Sequence, residues 1–333
     1  MTSADTSHIR VLAVVGPTAV GKTPLAEELA VRLGGEIVSA DAMQVYRGMD
    51  IGTAKPAPAD RRVPYHCLDL AEPGEPFSAA LFQRAARAAI GDIHDRRRVP
   101  IVAGGTGLYV RAALDTWEFP AGEQTGNKVR EYYEALAAAE GAEALHARLT
   151  ARAAASAALI HPNNVRRTVR VLEMLDQGVS YAAVHAGFSA RESVYDPRFL
   201  GLTMDRELLY ERVDSRVDAM LASGLIDEVR ALLGAGLRDA VTASQAIGYK
   251  EFVPVVERGA DLDEAIAAVK QASRRYAKRQ LTWFRADPRV TWLDVTRLSP
   301  QRAADAALDA LDLSTPSDGD TSWSSGGLGR KGT

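Results

Sequence analysis

The chain has 333 residues, 47% of them hydrophobic and 25% charged, the composition of a soluble globular protein of about two domains. A formal net charge of −3 excludes a globally basic protein, so any affinity for nucleic acid must come from a local concentration of Lys and Arg. The lone cysteine, Cys67, excludes an internal disulfide, and the amino-terminal MTSADTSHIR lacks the apolar stretch of a signal peptide or membrane anchor, which points to the cytoplasm.

In chain order, RVLAVVG predicts a first strand and TPLAEELAVRL a first helix. Between them GPTAVGKT, that is Gly16, Pro17, Thr18, Ala19, Val20, Gly21, Lys22 and Thr23, fits G-x-x-x-x-G-K-[ST] in the strand, loop, helix context of a phosphate-binding loop. Such a loop turns backbone amides and a helix N-terminus toward anionic oxygens; Lys22 adds a point charge and Thr23 offers a hydroxyl to Mg²⁺. Pro24 falls in the first helical turn, where a missing amide hydrogen costs little.

A second strand, EIVSAD, ends on Asp41 and runs into SADAMQVYRGMDIGTAKP, a connection crowded with the polar residues Gln44, Tyr46, Arg47, Asp50, Thr53 and Lys55. In an open parallel sheet the carboxyl ends of the strands face one crevice, which places Asp41 beside the phosphate loop. Read alone, Asp41 could instead cap a helix or hold a Mg²⁺-bound water. The helix FSAALFQRAARAAIGDIHDRRR leads to the strand VPIVAGG, which sends Gly104, Gly105, Thr106 and Gly107 to the same crevice; by itself GGTG could also be an ordinary turn.

This alternation predicts an α/β fold, a P-loop NTPase-like doubly wound parallel sheet. Residues 117–191 are alanine-rich and helical, with REYYEALAAAEGAEALHARL and NNVRRTVRVLEML, and read as a helical insertion domain in a catalytic core made of 1–116 and 192–312. The strand RFLGLTM follows, then one amphipathic helix, RELLYERVDSRVDAMLASGLIDEVRALL. A basic helix, LDEAIAAVKQASRRYAKRQLTWFR, and a closing strand, VTWLDV, complete the core. Residues 313–333 are Ser/Gly-rich and predict a disordered tail. On the basic helix Lys270, Arg274, Arg275, Lys278, Arg279 and Arg285 occur without an acid among them, and the i+4 spacing of Lys270, Arg274 and Lys278 predicts a phosphate-binding stripe. Tyr276 and Trp283 interleave with it and could stack on bases, although helix aromatics commonly pack into a core.

A phosphate loop does not name a reaction. Five stretches in this order, GPTAVGKT, SADAMQVYRGMDIGTAKP, AGGTGLY, QAIGYKE and YAKRQLTWFR, closely resemble the tRNA dimethylallyltransferases, also called tRNA isopentenyltransferases, from about Val11 to Val295. The resemblance implies transfer of a dimethylallyl group from dimethylallyl diphosphate to the exocyclic amine of the adenine following the anticodon. The loop Gly16 to Thr23 would then hold a prenyl diphosphate rather than a nucleotide, with Mg²⁺ at Thr23. Asp41 resembles the family's general base, and Thr106 and Arg216 would attend the leaving diphosphate.

The resemblance also implies tRNA contacts at Asp41, Ala42, Met43, Gln44 and Thr106, at Arg130, at Arg166, Arg167, Thr168, Val169 and Arg170, and at Gln245, Ala246, Ile247, Gly248, Tyr249 and Lys250. Gln44 would offer a paired donor and acceptor to a base edge, while Gly248 would serve the backbone. The target base would have to swing out of its stack. The partners implied are the anticodon stem-loop of tRNA and dimethylallyl diphosphate, with no membrane and a monomer as the family default.

Many family members carry Ser where this chain has Ala42, which removes one hydroxyl hydrogen bond. His66 and Cys67 are expected to be core or strand residues without chemistry, and no His/Cys spacing suggests zinc. A small-molecule or nucleotide kinase would explain the first third equally well but leaves the basic helix and the arginine-bearing insertion unexplained. Prenyl transfer to free adenine nucleotide, or an RNA-binding protein with a merely structural loop, are further alternatives.

Overall fold

The structure, a computed structural model, describes residues 6–119 and 127–313. Among these, six strands form one parallel sheet: β1 (Arg10–Val15), β2 (Gly35–Ser39), β3 (Tyr65–His66), β4 (Val99–Gly104), β5 (Asp196–Thr203) and β6 (Val290–Asp294). Their order is β3-β2-β4-β1-β5-β6. The register sets Val15 beside both Gly104 and Gly201, and Ser39 beside Ala103, so the segments after β1, β2 and β4 all emerge at one sheet edge. Helix α1 (Lys22–Leu33) joins β1 to β2, and α2 (Ala79–Asp95) joins β3 to β4. Because these right-handed crossovers run in opposite directions across the sheet, the two helices cover opposite faces.

The chain divides into two compact units, Met1–Leu114 with Ser193–Thr333, and Asp115–Glu192. In the first, Leu25, Leu29 and Leu33 recur on one face of α1 and pack on Leu12, Val14, Ile37, Ile101 and Leu202 of the sheet. Burying each such side chain contributes about 1.5–3 kcal/mol. Helix α3 (Gly107–Leu114) follows β4. In the second unit, α4 (Lys128–Glu140), α5 (Ala142–Arg152), α6 (Ala154–Ala157), α7 (Val165–Asp176) and α8 (Tyr181–Ser189) enclose a separate core of Tyr133, Leu145, Leu149, Val169 and Leu172.

The first unit continues with α9 (Arg206–Ala222), α10 (Leu225–Gly234), α11 (Val253–Arg258), α12 (Leu262–Arg285) and α13 (Pro300–Ala310). The single helix expected over 206–233 is therefore two: Gly224 takes a left-handed conformation, φ 96°, which ends α9 and caps the start of α10. Asp261 caps α12 by accepting from the Glu264 amide, and Asp263 and Glu264 occupy its first turn. Leu313, the first residue of the expected tail, packs on the core; residues 314–333 lie outside the described residues. Among the described residues no helix is long and apolar enough to cross a membrane.

A candidate active site where two cavities meet

The phosphate loop leaves β1 with Gly16 at φ 146°, Ala19 at φ 65° and Gly21 at φ 100°. The positive angle at Ala19 is unusual for a residue with a Cβ and marks a loop held in shape by its surroundings. Lys22 opens α1, and its Nζ donates to the Pro17 carbonyl at 2.7 Å. Burial pulls the Lys22 ammonium down to about 7, with the Arg216 charge adding to that fall and the Asp41 charge opposing it. The Thr18 amide donates to Gln280 Oε1 at 2.8 Å, while Gln280 Nε2 donates to the Gly105 carbonyl at 2.9 Å. A Cβ at Gly105 would collide with that Nε2, so glycine is required for the clamp to close.

Across the cleft, Asp41 Oδ1 accepts from the Met43 amide at 2.9 Å, and the Ala42 amide donates to Thr106 Oγ1 at 3.1 Å. The Ala42 backbone is thus engaged although its side chain offers no hydroxyl. Burial raises the Tyr276 phenol to about 12, and its hydroxyl lies against Thr106 and Gln280. Arg216 Nη2 donates to the Thr53 carbonyl at 3.2 Å; burial lowers its pKa and Asp41 opposes the fall.

Much of the polar connection 39–56 is a brace. Lys55, its side chain only 4% exposed, reaches the Tyr46 carbonyl at 2.7 Å and both Asp50 and Asp69 at 2.6 Å. Gln44 also departs from its expected role of reading a base edge. Its Oε1 accepts from Ser39 Oγ at 2.8 Å and its Nε2 donates to the Thr53 carbonyl at 3.2 Å, so both ends of the amide are spent on the protein.

Two cavities meet here. One of about 390 Å³ is lined by Gly21, Lys22, Thr23, Gln44 and Gly105, with Thr23 exposed at the first turn of α1. The other, of about 500 Å³, is lined by Ala42, Met43, Thr106, all of Gln245, Ala246, Ile247, Gly248, Tyr249 and Lys250, and by Arg275 and Arg279. Thr18, Asp41, Thr53, Arg216 and Tyr276 border both. The first cavity concentrates positive charge and backbone amides, and the second carries the apolar walls a planar ring needs. An acceptor entering one and an anion entering the other would meet at Asp41 and Arg216.

The remaining expected contacts divide by exposure. Arg275, Lys278, Arg279 and Trp283 are exposed on α12. Lys270 and Arg274 are not presented as a stripe: Lys270 pairs with Asp218 at 2.6 Å and Arg274 reaches both oxygens of Asp214 at 2.6 and 2.7 Å, because that face of α12 packs on α9. In the insertion Arg166 and Arg167 are exposed, whereas Thr168 and Val169 are buried in its core and offer no side chain to a partner. Arg130 and Arg170 grip opposite oxygens of the fully buried Glu173, at 2.7 and 2.5 Å. Tyr249 is fully buried, its hydroxyl bonded to Glu228 at 2.6 Å, and so cannot stack on a base. His66 bonds Glu36 at 2.7 Å beside Arg96.

Sequence reasoning missed Gln280 and Glu228. Gln280 did leave a signal: it is a polar residue on the stripe Ala277, Gln280 and Phe284 that α12 buries. Among the described residues no group of three or more His, Cys, Asp or Glu could hold a metal ion. The exposed Thr23 hydroxyl at the first turn of α1 is a hard oxygen donor of the kind Mg²⁺ takes beside a phosphate-binding loop.

A family model described as IPP transferase matches residues 44–287, and one described as isopentenyl transferase matches residues 9–63. A tRNA dimethylallyltransferase of Geobacillus thermodenitrificans is 51% identical over 292 residues, covering 86% of this chain and 91% of the relative. The crystal structure of a tRNA isopentenylpyrophosphate transferase from Bacillus halodurans superposes with a TM-score of 0.65 at 43% identity, covering 91% of this chain and 96% of that one. A eukaryotic dimethylallyltransferase acting on tRNA gives a TM-score of 0.74 at 28% identity, covering 90% of this chain and 78% of that one.

Proposed function

The chain belongs to the tRNA dimethylallyltransferase family, and on that premise we propose that it transfers the dimethylallyl group of dimethylallyl diphosphate to the exocyclic amine of the adenine following the anticodon in tRNA, releasing diphosphate. The observation that carries this reading is the wall shared by the two cavities, in which a carboxylate, Asp41, and a guanidinium, Arg216, stand together. A kinase would need the smaller cavity but would leave the larger, Arg-rimmed one without use.

The phosphate loop and Lys22 hold the diphosphate, and Arg216, which borders both cavities, attends its charge as the allylic carbon–oxygen bond breaks, with the Thr106 hydroxyl reaching the same bond from the acceptor cavity. Fixed cations and amides stabilise that charge without reorganisation. The adenine, flipped from its stack, enters the larger cavity. Its amine is a weak nucleophile because its lone pair is delocalised into the ring; as nitrogen attacks the allylic carbon, Asp41 accepts the departing proton. The Met43 amide, bonded to Oδ1, holds the carboxylate in place. Bound Mg²⁺ would neutralise part of the diphosphate charge, with Thr23 as its protein ligand. Exposed Arg275, Lys278 and Arg279, and on the insertion Arg166 and Arg167, are the cations offered to tRNA phosphates. The protein works in the cytoplasm as a monomer in this reading.

Purified protein incubated with labelled dimethylallyl diphosphate, Mg²⁺ and bulk tRNA should label tRNA without ATP. Transfer that requires ATP, or that reaches only free nucleotide, would overturn the reading.

A further inference from the structure

We propose that Glu228 is a positioning residue for this reaction: it sets the conformation of residues 50–53 and, through the Thr53 carbonyl, holds Arg216 at the leaving diphosphate. The inference rests on the function proposed above but concerns a residue which that mechanism does not use.

Glu228 lies in the first turn of α10. Its Oε2 accepts from the amides of Asp50 at 3.1 Å and Ile51 at 2.7 Å, and its Oε1 from the amide of Gly52 at 3.1 Å and the Tyr249 hydroxyl at 2.6 Å. Three successive amides converging on one anion form a nest, normally a seat for an external phosphate or carboxylate, and here it is filled from within the chain. Tyr249 locks the arrangement from the other side. A Cβ at Gly52 would lie 2.5 Å from its ring, so loop, ring and carboxylate pack as one unit.

The next residue is the one that matters for chemistry. Thr53 is buried, its hydroxyl donates to the Met49 carbonyl at 2.7 Å, and its own carbonyl accepts from Arg216 Nη2 and Gln44 Nε2, both at 3.2 Å. Arg216 is a half-buried cation that shares its cavity with Lys22, so repulsion and partial desolvation both push it outward. The Thr53 carbonyl and the Asp41 charge oppose that push. Removing the Glu228 carboxylate strips the acceptor from the nest, releases the loop, and loosens Arg216 from the place where diphosphate charge develops.

The full-length chain, its Glu228→Ala, Glu228→Gln, Tyr249→Phe and Arg216→Gln variants, and the Glu228→Ala/Arg216→Gln double variant should be compared by thermal unfolding, by affinity for inorganic diphosphate with Mg²⁺, and by single-turnover transfer. Glu228→Ala should weaken diphosphate binding by about tenfold and slow transfer further, with Glu228→Gln and Tyr249→Phe moving the same way by less. In the Arg216→Gln background the same change should cost less than about twofold, because its effect runs through the missing guanidinium. Unchanged diphosphate affinity in Glu228→Ala, or full additivity with Arg216→Gln, would overturn the proposal. Should Glu228→Ala fail to fold, unchanged affinity in both Glu228→Gln and Tyr249→Phe would overturn it equally. A wild-type chain that neither binds diphosphate nor labels tRNA would instead sink the function on which the proposal rests.

Discussion

Gln280 and Thr18 are joined by a 2.8 Å hydrogen bond in which a buried side chain of α12 accepts from an amide of the phosphate loop. The same side chain donates to the Gly105 carbonyl, so one helix ties the segments after β1 and β4 together. One loop amide is therefore committed to the protein, and the anion must be held by the others with Lys22. The outer face of that helix presents Arg275, Lys278 and Arg279, so under the proposed function one element both faces RNA and braces the phosphate loop.

Replacing Gln280 with Ala would leave the Thr18 amide and the Gly105 carbonyl without their partner, at a cost of about 1–3 kcal/mol for each group left unpaired. Lower thermal stability and a raised KM for dimethylallyl diphosphate should follow. Gln280→Glu keeps the size but sets a carboxylate against a carbonyl oxygen and near the diphosphate, so its activity should fall below that of Gln280→Ala. Steady-state kinetics on both variants check the order; a more active Gln280→Glu would show that the clamp does not act as described.

Lys22 predicts a pH dependence. Burial first, and Arg216 second, bring its pKa down to about 7, and a bound diphosphate must raise it again. Below about pH 7 the ammonium is already present and this group adds no slope; above it, binding must take up a proton, so diphosphate affinity should fall by up to about tenfold per pH unit. Lys22→Arg, whose guanidinium stays charged, should remove that slope. Calorimetric titration of both proteins across neutral pH decides the matter, and equal slopes would assign the dependence to another group.

The two faces of α12 should separate in salt titrations. Arg274 is engaged by Asp214, whereas Lys278 and Arg279 are exposed. Lys278→Ala/Arg279→Ala should weaken tRNA binding and flatten the plot of log affinity against log salt, while Arg274→Ala should chiefly lower the unfolding temperature. A flattened slope for Arg274→Ala with unaltered stability would return that residue to the RNA face.

In the insertion, Glu173 is fully buried between Arg130 and Arg170 and also accepts from Asn127 Nδ2 at 2.8 Å. Removing one partner of such a group leaves uncompensated charge, typically about 3–5 kcal/mol. Glu173→Ala should speed amide exchange in α4 and α7 and weaken tRNA binding, with diphosphate affinity unchanged because the diphosphate residues belong to the other compact unit. Unchanged exchange in those helices would contradict the role given to Glu173.

The parallel sheet and the phosphate loop were legible because their signals are local: a run of buried β-branched residues, then glycines and Lys22 at fixed spacing. Asp41 was placed by topology, since any residue just past β2 must face the same edge as the loop. What escaped was which partner each polar side chain finds. The i+4 rule put Lys270, Arg274 and Lys278 on one face but could not say that the acids Asp214 and Asp218 of α9 would meet it. Gln44 is five residues from Ser39 and nine from Thr53, yet only the folded connection shows that its amide is consumed by both. The break at Gly224 was hidden because the apolar period continues through it, and a glycine inside a helical pattern is often tolerated.

The proposed mechanism turns on Asp41, which lines both cavities. Single-turnover transfer by Asp41→Asn, which keeps the side chain's size but removes its basicity, should fall by about 10²–10⁴-fold, with tRNA and diphosphate affinities within about twofold of wild type. Transfer near the wild-type rate, or a collapse of binding in place of chemistry, would contradict the assignment of Asp41 as the base.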